Sequence, residues 1–347
     1  MNLIKVLLFP LQAIYRMVIQ SRNILYNLKV LKTNTFNTHI ISVGNLKTGG
    51  TGKTPMTEFI VSIMSPLKTA VVSRGYKRHT NKFILANKNH SSKEIGDENR
   101  QLIQKFPHLI VACDVNRSQG VENLLKHHHD IDVIILDDAY QHRKINRDLD
   151  IVLTEYDDLY TNDCLLPIGN LREPIKEIKR TNIIVVTKCP KHITKQETNN
   201  VIKKLKPKYQ QKVYFSYIKN YSFKDDETKS NNIYPDKDKT HILVTGIANP
   251  KHLINFLSKK NLKFKHVKYS DHYFFQEKDV ENIINLKLEN KFSNLLLTTE
   301  KDYYRLSDTQ KHKLKKHFKI IPIQMTIDFI DNDKDNFINQ LLNFKKI

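Results

Sequence analysis

Tryptophan is absent from the 347 residues, the aromatics are Tyr and Phe only, and there are just three cysteines. Cys113, Cys164 and Cys189 lie far apart, without Cys-x-x-Cys or Cys/His spacing. That argues against a disulfide framework and a cysteine-based zinc site, and it suits a reducing cytosol. Acidic residues are in short supply: 36 Asp and Glu stand against 57 Lys and Arg, a formal charge of +21. Such a chain meets something negative: nucleic acid, an anionic membrane or a phosphorylated substrate. Lysine is spread throughout with no single basic block, so compositional drift explains the excess as readily and charge alone selects no partner. No basic-aromatic motif or nucleic-acid module is present, which argues against a nucleic-acid partner. Nothing marks an obligate protein partner either.

A clean long apolar run is also missing. The stretch MNLIKVLLFPLQAIYRMVIQSRNILYNLKVLKT (1–33) is apolar, but Lys5, Gln12 and Arg16 interrupt it. A spanning helix needs ~20 mostly apolar residues. No small-residue cleavage site follows, so it does not read as a secretory signal. Ile4, Leu7, Leu8, Leu11, Ile14, Tyr15 and Val18 share one helical face, widened by Val6, Phe9 and Ala13. Arg16, Arg22, Lys29 and Lys32 add positive charge. Two readings stand equal on pattern: a helix in the membrane interface with its cations near anionic head groups, and an ordinary helix packed on its own domain. Pro10 should kink the helix or split it in two.

What the chain does have is alternation. Apolar runs at 39–44, 69–74, 108–113, 132–138, 150–155 and 182–188 are separated by helical patterns opening at Gly52 and near Gly96, Asn116 and Thr194. Apolar strands alternating with helices predict a parallel sheet covered on both faces, an α/β class. Residues 219–240 are polar and charged and read as a linker or exposed hairpin. Alternation then resumes at 241–247, 263–270, 294–300 and 319–325, with helices from Asn249 and about Gln276. The expected division is an N-terminal helix (1–33), a core (34–218), the linker (219–240) and a smaller α/β domain (241–347). A cleft between two such domains is a natural substrate site.

One loop carries chemistry. IISVGNLKTGGTGKTPMTEFI (40–60) reads as a strand, a Gly-Thr loop and a helix. In a phosphate-binding loop, backbone N–H groups and the helix N-terminus wrap the phosphates, and a lysine meets the outer ones. Thr48, Gly49, Gly50, Thr51, Gly52, Lys53 and Thr54 supply these parts, with Thr54 for magnesium. The strict pattern wants glycine where Lys47 stands; Gly44 partly compensates. Pro55, in the first helical turn, costs little. VIILDD (133–138) is an apolar strand ending in Asp137 and Asp138, one of which can hold magnesium directly or through water. TKCP (187–190) has Pro190 where a guanine-reading motif has aspartate, so ATP is favoured over GTP.

VGNLKTGGTGKTP, SRGY (73–76), GDE (96–98), DDAYQH (137–142), LLPIGNLREP (165–174), VTGIANP (244–250), DHYFF (271–275) and TTEKD (298–302) occur together and in this order. In this the chain, from about residue 1 to 325, resembles the tetraacyldisaccharide 4′-kinase family. The resemblance implies a P-loop NTPase-like core, a second, smaller α/β domain and an N-terminal membrane-associated helix. It implies transfer of the γ-phosphate of ATP to the 4′-hydroxyl of tetraacyldisaccharide 1-phosphate, giving lipid IVA in lipid A biosynthesis. It also implies work on the cytoplasmic face of the inner membrane of Gram-negative bacteria, with ATP and Mg²⁺ as cofactors and an anionic membrane surface as partner. The altered loop around Lys47 is usual in the family. Lys77 and Ala139 depart from it, standing where glycine is common.

The resemblance also assigns roles. Lys53 should meet the β- and γ-phosphates. Asp97 and His272 resemble the catalytic pair, with the carboxylate, aided by the histidine, taking the proton of the sugar hydroxyl; Arg172 resembles a residue near the transferring phosphate and Glu173 one near the metal, beside Thr54, Asp137 and Asp138. Arg74 and Arg117 are candidates for holding anionic groups, and Gln141 and His142 for orienting phosphate or sugar. Read without the family, Asp97 is a helix-dipole residue, His272 a turn histidine and Arg172-Glu173 a surface pair. Thr299 to Asp302 fits a helix cap.

Overall fold

The computed structural model describes residues 3–223, 233–290 and 292–343. A single helix α1 (Leu3–Asn27) precedes the sheet. It runs unbroken through Pro10, so the expected split does not occur. Proline there removes one hydrogen bond in the second turn, which costs less than abandoning the contacts that dock the rest of the helix.

The chain continues through β1 (His39–Asn45), α2 (Lys53–Ile63), β2 (Thr69–Ser73), β3 (Ile84–Ala86), α3 (Ser92–Ile95), α4 (Asp97–Lys105) and β4 (Ile110–Cys113). Next come α5 (Arg117–His127), β5 (Val133–Asp137), β6 (Leu149–Glu155), β7 (Ile183–Thr187), α6 (Lys195–Leu205) and β8 (Lys212–Phe223). The last part holds β9 (Thr240–Thr245), α7 (Lys251–Lys259), β10 (Lys263–Lys268), α8 (Glu277–Glu289), β11 (Leu295–Thr299), α9 (Glu300–Arg305), α10 (Asp308–Lys315), β12 (Lys319–Phe329) and α11 (Asp333–Leu342).

All twelve strands form one sheet in the order β10-β9-β11-β12-β8-β7-β6-β1-β5-β2-β4-β3. Its ladders are parallel except β3–β4 and β8–β12. β8 makes the join. Its first residues pair with β7 and the rest pair with β12, so the N- and C-terminal strand groups are hydrogen-bonded into one surface. Residues 219–223 therefore finish a strand instead of opening a linker; 224–232 of the expected linker lie outside the described residues.

Alternate side chains of the central strands feed two apolar layers. Ile41, Val43, Val71, Val133, Ile135, Ile151 and Val185 pack under Met56 and Ile60 of α2 and Leu102 of α4. Ile40, Val72, Ile134 and Leu136 face Val121 and Leu124 of α5. Each fully buried aliphatic side chain contributes ~1.5–3 kcal/mol, so both helical layers are held by the sheet itself. The carboxyl ends of β1, β2 and β5 open on the same edge, the usual place for a ligand in an open α/β sheet.

Candidate active site

The loop after β1 has the shape its glycines require. Gly49 and Gly52 have φ of 108° and 90°, the left-handed region that favours glycine. A Cβ at Gly49 or Gly50 would meet nothing within 4 Å, so their backbone faces open space. Gly52 caps α2 without any side-chain hydrogen bond, which leaves the first-turn N–H groups available to an anion. Lys47 turns away from this cradle: its buried ammonium lies 2.5 Å from Asp158 and 2.8 Å from Asp163. Gly44 does not compensate for it. A Cβ there would stand 2.7 Å from Tyr140 Cβ, so this glycine serves the packing of β1 against residue 140. The loop is braced from outside. Thr187 Oγ1 donates to the Thr51 carbonyl at 2.9 Å, and Lys188 Nζ to the Gly50 carbonyl at 2.8 Å.

Two cavities meet at this edge. One, of about 370 Å³, runs from Thr48–Thr54 past Lys188 and His272 to an apolar wall that includes Ile218, Tyr221, Leu253, Ile323 and Met325. This wall comes from β8, β12 and α7. The other, of about 360 Å³, lies between α1 and the ends of β2 and β5, and is lined by Arg22, Arg74, Arg117, Gln141 and His142. Tyr76, Glu98, Asp138 and Arg172 line both.

The carboxylates at this junction are crowded. Lys53 Nζ lies 3.8 Å from Asp138 Oδ1, and Arg172 forks onto Asp138 at 2.7 and 3.1 Å. Burial pushes Asp138 up, but Lys53 and Arg172 outweigh it and lower it to about 2. Asp137 accepts a hydrogen bond from Thr57 at 3.1 Å. Burial, then Glu98 and Asp138, raise Asp137 to about 7. Thr54 donates to Glu98 at 2.9 Å. Among the described residues no three His, Cys, Asp or Glu side chains gather as a self-sufficient metal cage. Thr54 with Asp138, Asp137 and Glu98 nonetheless fits magnesium, which takes one or two carboxylates and completes its shell with phosphate and water.

Glu173 does not join that set. It is fully buried, with Arg22 at 2.8 Å and Arg180 at 2.6 Å. The residue expected beside the metal is instead the anchor for two guanidinium groups.

Asp97 and His272 come together from distant parts of the chain. Asp97 opens α4 after Gly96, whose φ is 87°. His272 sits after β10 with φ 55°, its N–H bonded to the Gly246 carbonyl at 3.1 Å. Its Nδ1 lies 3.0 Å from Asp97 Oδ2. The ring of Tyr76 packs edge-on to His272, with centroids 4.8 Å apart. Lys77 takes φ 58°, which explains glycine as the common residue there, and its Nζ reaches the Asp271 carbonyl at 3.2 Å.

Of the anion-holding candidates, Arg117 is buried and donates to the carbonyls of Val115 and Asp138. Burial lowers it to about 10. Arg74 is exposed at the mouth of the second cavity. Gln141 donates to the Asn45 carbonyl at 2.8 Å. Burial lowers His142 to about 4, so the ring is neutral near pH 7, and its buried Nε2 has no hydrogen-bond partner among the described residues.

Sequence reasoning missed Glu98, Lys188, Lys301 and Arg305 as site residues. Lys301 reaches Glu98 at 2.6 Å, and Arg305 reaches Asp97. The signal was present: Lys301 and Arg305 are four apart, hence on one face of α9. The stretch was read only for its cap, which does form, with Thr299 Oγ1 accepting from the Asp302 N–H.

The model of the tetraacyldisaccharide-1-P 4′-kinase family, LpxK, matches residues 4–344. A tetraacyldisaccharide 4′-kinase of Flavobacterium johnsoniae is 40% identical over 351 residues, covering 100% of this chain and 98% of that protein. One of Porphyromonas gingivalis is 34% identical over 346 residues, covering 96% and 95%. The crystal structure of LpxK from Aquifex aeolicus in complex with ATP aligns with a TM-score of 0.75 at 25% identity, over 99% of this chain and 100% of that one. With the phosphate loop, the carboxylate junction and the paired cavities in place, the chain belongs to the tetraacyldisaccharide-1-P 4′-kinase family.

Proposed function

We propose that this protein transfers the γ-phosphate of ATP to the 4′-hydroxyl of tetraacyldisaccharide 1-phosphate. The observation that carries this reading is the shared wall of the two cavities. ATP in the first cavity would direct its terminal phosphate past Lys53 toward Asp138 and Arg172, where the second cavity begins. Phosphoryl transfer depends mainly on such positioning and on charge neutralisation. Bound magnesium, with Thr54 and the Asp137–Asp138 pair as its protein contacts, would neutralise phosphate charge. With Nδ1 turned to Asp97 and Nε2 3.7 Å from Asp271 Oδ2, His272 would take the proton of the attacking hydroxyl on Nε2, and Asp97 would orient the ring and balance its charge. Arg74, Arg117 and the neutral His142 suit an acceptor that carries a phosphate and sugar hydroxyls.

The acceptor's lipid nature fits α1. Leu7, Phe9, Leu11, Ile14, Met17 and Val18 are each between 55% and 71% exposed. The helix turns Gln12, Arg22 and Asn23 inward, together with Leu8 and Tyr15 of the expected apolar face. No helix among the described residues is long and apolar enough to cross a membrane. The enzyme would lie on the cytoplasmic face of the inner membrane, its outward apolar side chains in the interface and the acyl chains remaining in the bilayer.

The test is transfer of labelled γ-phosphate from ATP to tetraacyldisaccharide 1-phosphate in detergent micelles, with Asp97→Ala alongside. Transfer by the wild type that falls by ~10²–10⁴ in the variant supports acceptor and pair together. A folded, ATP-binding wild type that leaves the lipid unlabelled would overturn the reading.

A further inference from the structure

The arginine at the junction of the two cavities is held in place by the N-terminal helix. Tyr15 Oη donates to the Arg172 carbonyl at 2.9 Å. Arg22 and Asn23, two turns further along α1, both bind the neighbouring Glu173, at 2.8 and 3.4 Å. Gln12 donates to the Leu165 carbonyl at 2.9 Å, at the other end of the same loop. The Arg172 N–H in turn donates to the Leu46 carbonyl at 2.7 Å, which ties the loop to the start of the phosphate-binding segment. Beyond this backbone, the guanidinium reaches Asn45 and forks onto Asp138.

These contacts are unusual for a membrane-docking helix. An anchor needs only its outward face. Here the inward face carries polar side chains aimed at one loop, and Glu173 has 0% side-chain exposure. Arg22 is one of two guanidinium groups on this buried carboxylate, and without it Arg180 alone would hold the charge, drawing the loop toward its own side. The loop conformation that presents Arg172 therefore depends on where α1 lies.

We infer that α1, through Arg22, Asn23 and Tyr15, is a positioning element of the active site that sets Arg172 against Asp138 and the transferring phosphate. Arg22 and Tyr15 also line the acceptor cavity, so seating the lipid against α1 and presenting Arg172 are coupled events. Chemistry then becomes most efficient when the helix is docked. The inference rests on the kinase reading for its kinetic arm, but its structural arm stands apart from it.

The experiment compares wild type, Arg22→Gln and Arg22→Lys in detergent micelles, where partition into a bilayer does not limit the rate. The expected result for Arg22→Gln is a kcat lower by about 10²-fold, the scale of an ångström-sized misplacement, with KM for ATP unchanged. Arg22→Lys, which keeps a cation within reach of Glu173, recovers most of that loss. Hydrogen exchange of the ATP-bound protein without acceptor is expected to show faster exchange over residues 165–174 in Arg22→Gln, with the amides of β5 and β7 as protected as before. A raised KM for the acceptor, with kcat and loop exchange unchanged, would overturn the inference and make Arg22 a lipid contact only. If the wild type leaves the disaccharide unlabelled, the activity reading falls, while loop exchange still decides whether α1 positions Arg172.

Discussion

Arg305 places Nε and a terminal nitrogen on one oxygen of Asp97, at 2.8 and 2.5 Å, and that same oxygen faces His272 Nδ1. The two partners are far apart in sequence and almost wholly buried. Burial pushes the Asp97 carboxyl up, but the His272 hydrogen bond and the Arg305 charge outweigh it and hold the group far below its ordinary range. The other oxygen accepts the Glu98 N–H at 3.0 Å. Asp97 is thus a fixed anion with both oxygens engaged, the condition of an orienting group; that departs from the expectation that this carboxylate takes the proton, and in the proposed reaction the proton goes to His272.

Arg305→Ala should therefore damage stability as well as rate. Removing one member of a buried pair costs ~3–5 kcal/mol, because the other is left uncompensated. Asp97 has a depressed value, so its stabilising contribution is present above its unfolded value near 3.8 and is lost only as pH falls toward the folded one. The destabilisation of Arg305→Ala, read by urea unfolding, should stay constant between about pH 5 and pH 8. A deficit that vanishes toward neutral pH would contradict the fixed-anion reading.

Asp137 should show the opposite pH behaviour. Its value is raised to about 7 by burial and by Glu98 and Asp138, from an ordinary 3.8. A raised value adds stability below the unfolded pKa and loses it as pH rises through the folded one. The metal-free protein should lose thermal stability between about pH 4 and pH 7, and Asp137→Asn should flatten that loss. Magnesium with ATP should raise the melting temperature more above this window than below it. Equal gains on both sides would show that the cation does not relieve the Asp137 charge.

How far the sequence could be read depended on distance along the chain. The strands β1, β5 and β7 were legible because each is a short apolar run, and the phosphate loop because its glycines and Lys53-Thr54 are contiguous. β8 was not, because it alternates Lys, Ser and Asn with aromatics and gains its pairing from β12, about a hundred residues later. The Asp97–His272 pair became visible only through family resemblance; locally, each residue has an ordinary explanation. Glu173 shows the limit of that resemblance. The resemblance sets it near the metal, yet the partners that claim it are Arg22 and Arg180, and Arg22 comes from a helix whose pattern fitted a membrane interface and a packed helix equally well.

The cap of α9 offers a milder test. Thr299 Oγ1 accepts from the Asp302 N–H at 3.2 Å and bonds its carboxylate at 2.6 Å. Asp302 also takes the Gly246 N–H at 2.9 Å, and Arg305 at 2.7 Å. Thr299→Ala should cost ~0.5–2 kcal/mol, the usual range for a lost cap, measured by urea unfolding. Because α9 also carries Lys301 and Arg305, kcat should fall with KM for ATP little changed. A stability loss with full kcat would mean that α9 holds its place without the cap.

The outward face of α1 invites a membrane test separable from its inward contacts. Leu11, Ile14 and Val18 stand more than half exposed and touch the solvent side of the helix. If that side lies in a bilayer interface, each buried aliphatic contributes ~1.5–3 kcal/mol to binding. Changing all three to serine should move the protein from vesicles of mixed zwitterionic and anionic lipid into the supernatant, measured by sedimentation. Raising salt should weaken the wild type further, since Arg16, Lys29 and Lys32 act through screened charge. The micellar kcat reports the inward face alone, because partition no longer limits it there. A triple variant that stays with the vesicles would mean that other surfaces carry the attachment, and that the exposed apolar side chains of α1 face something other than lipid.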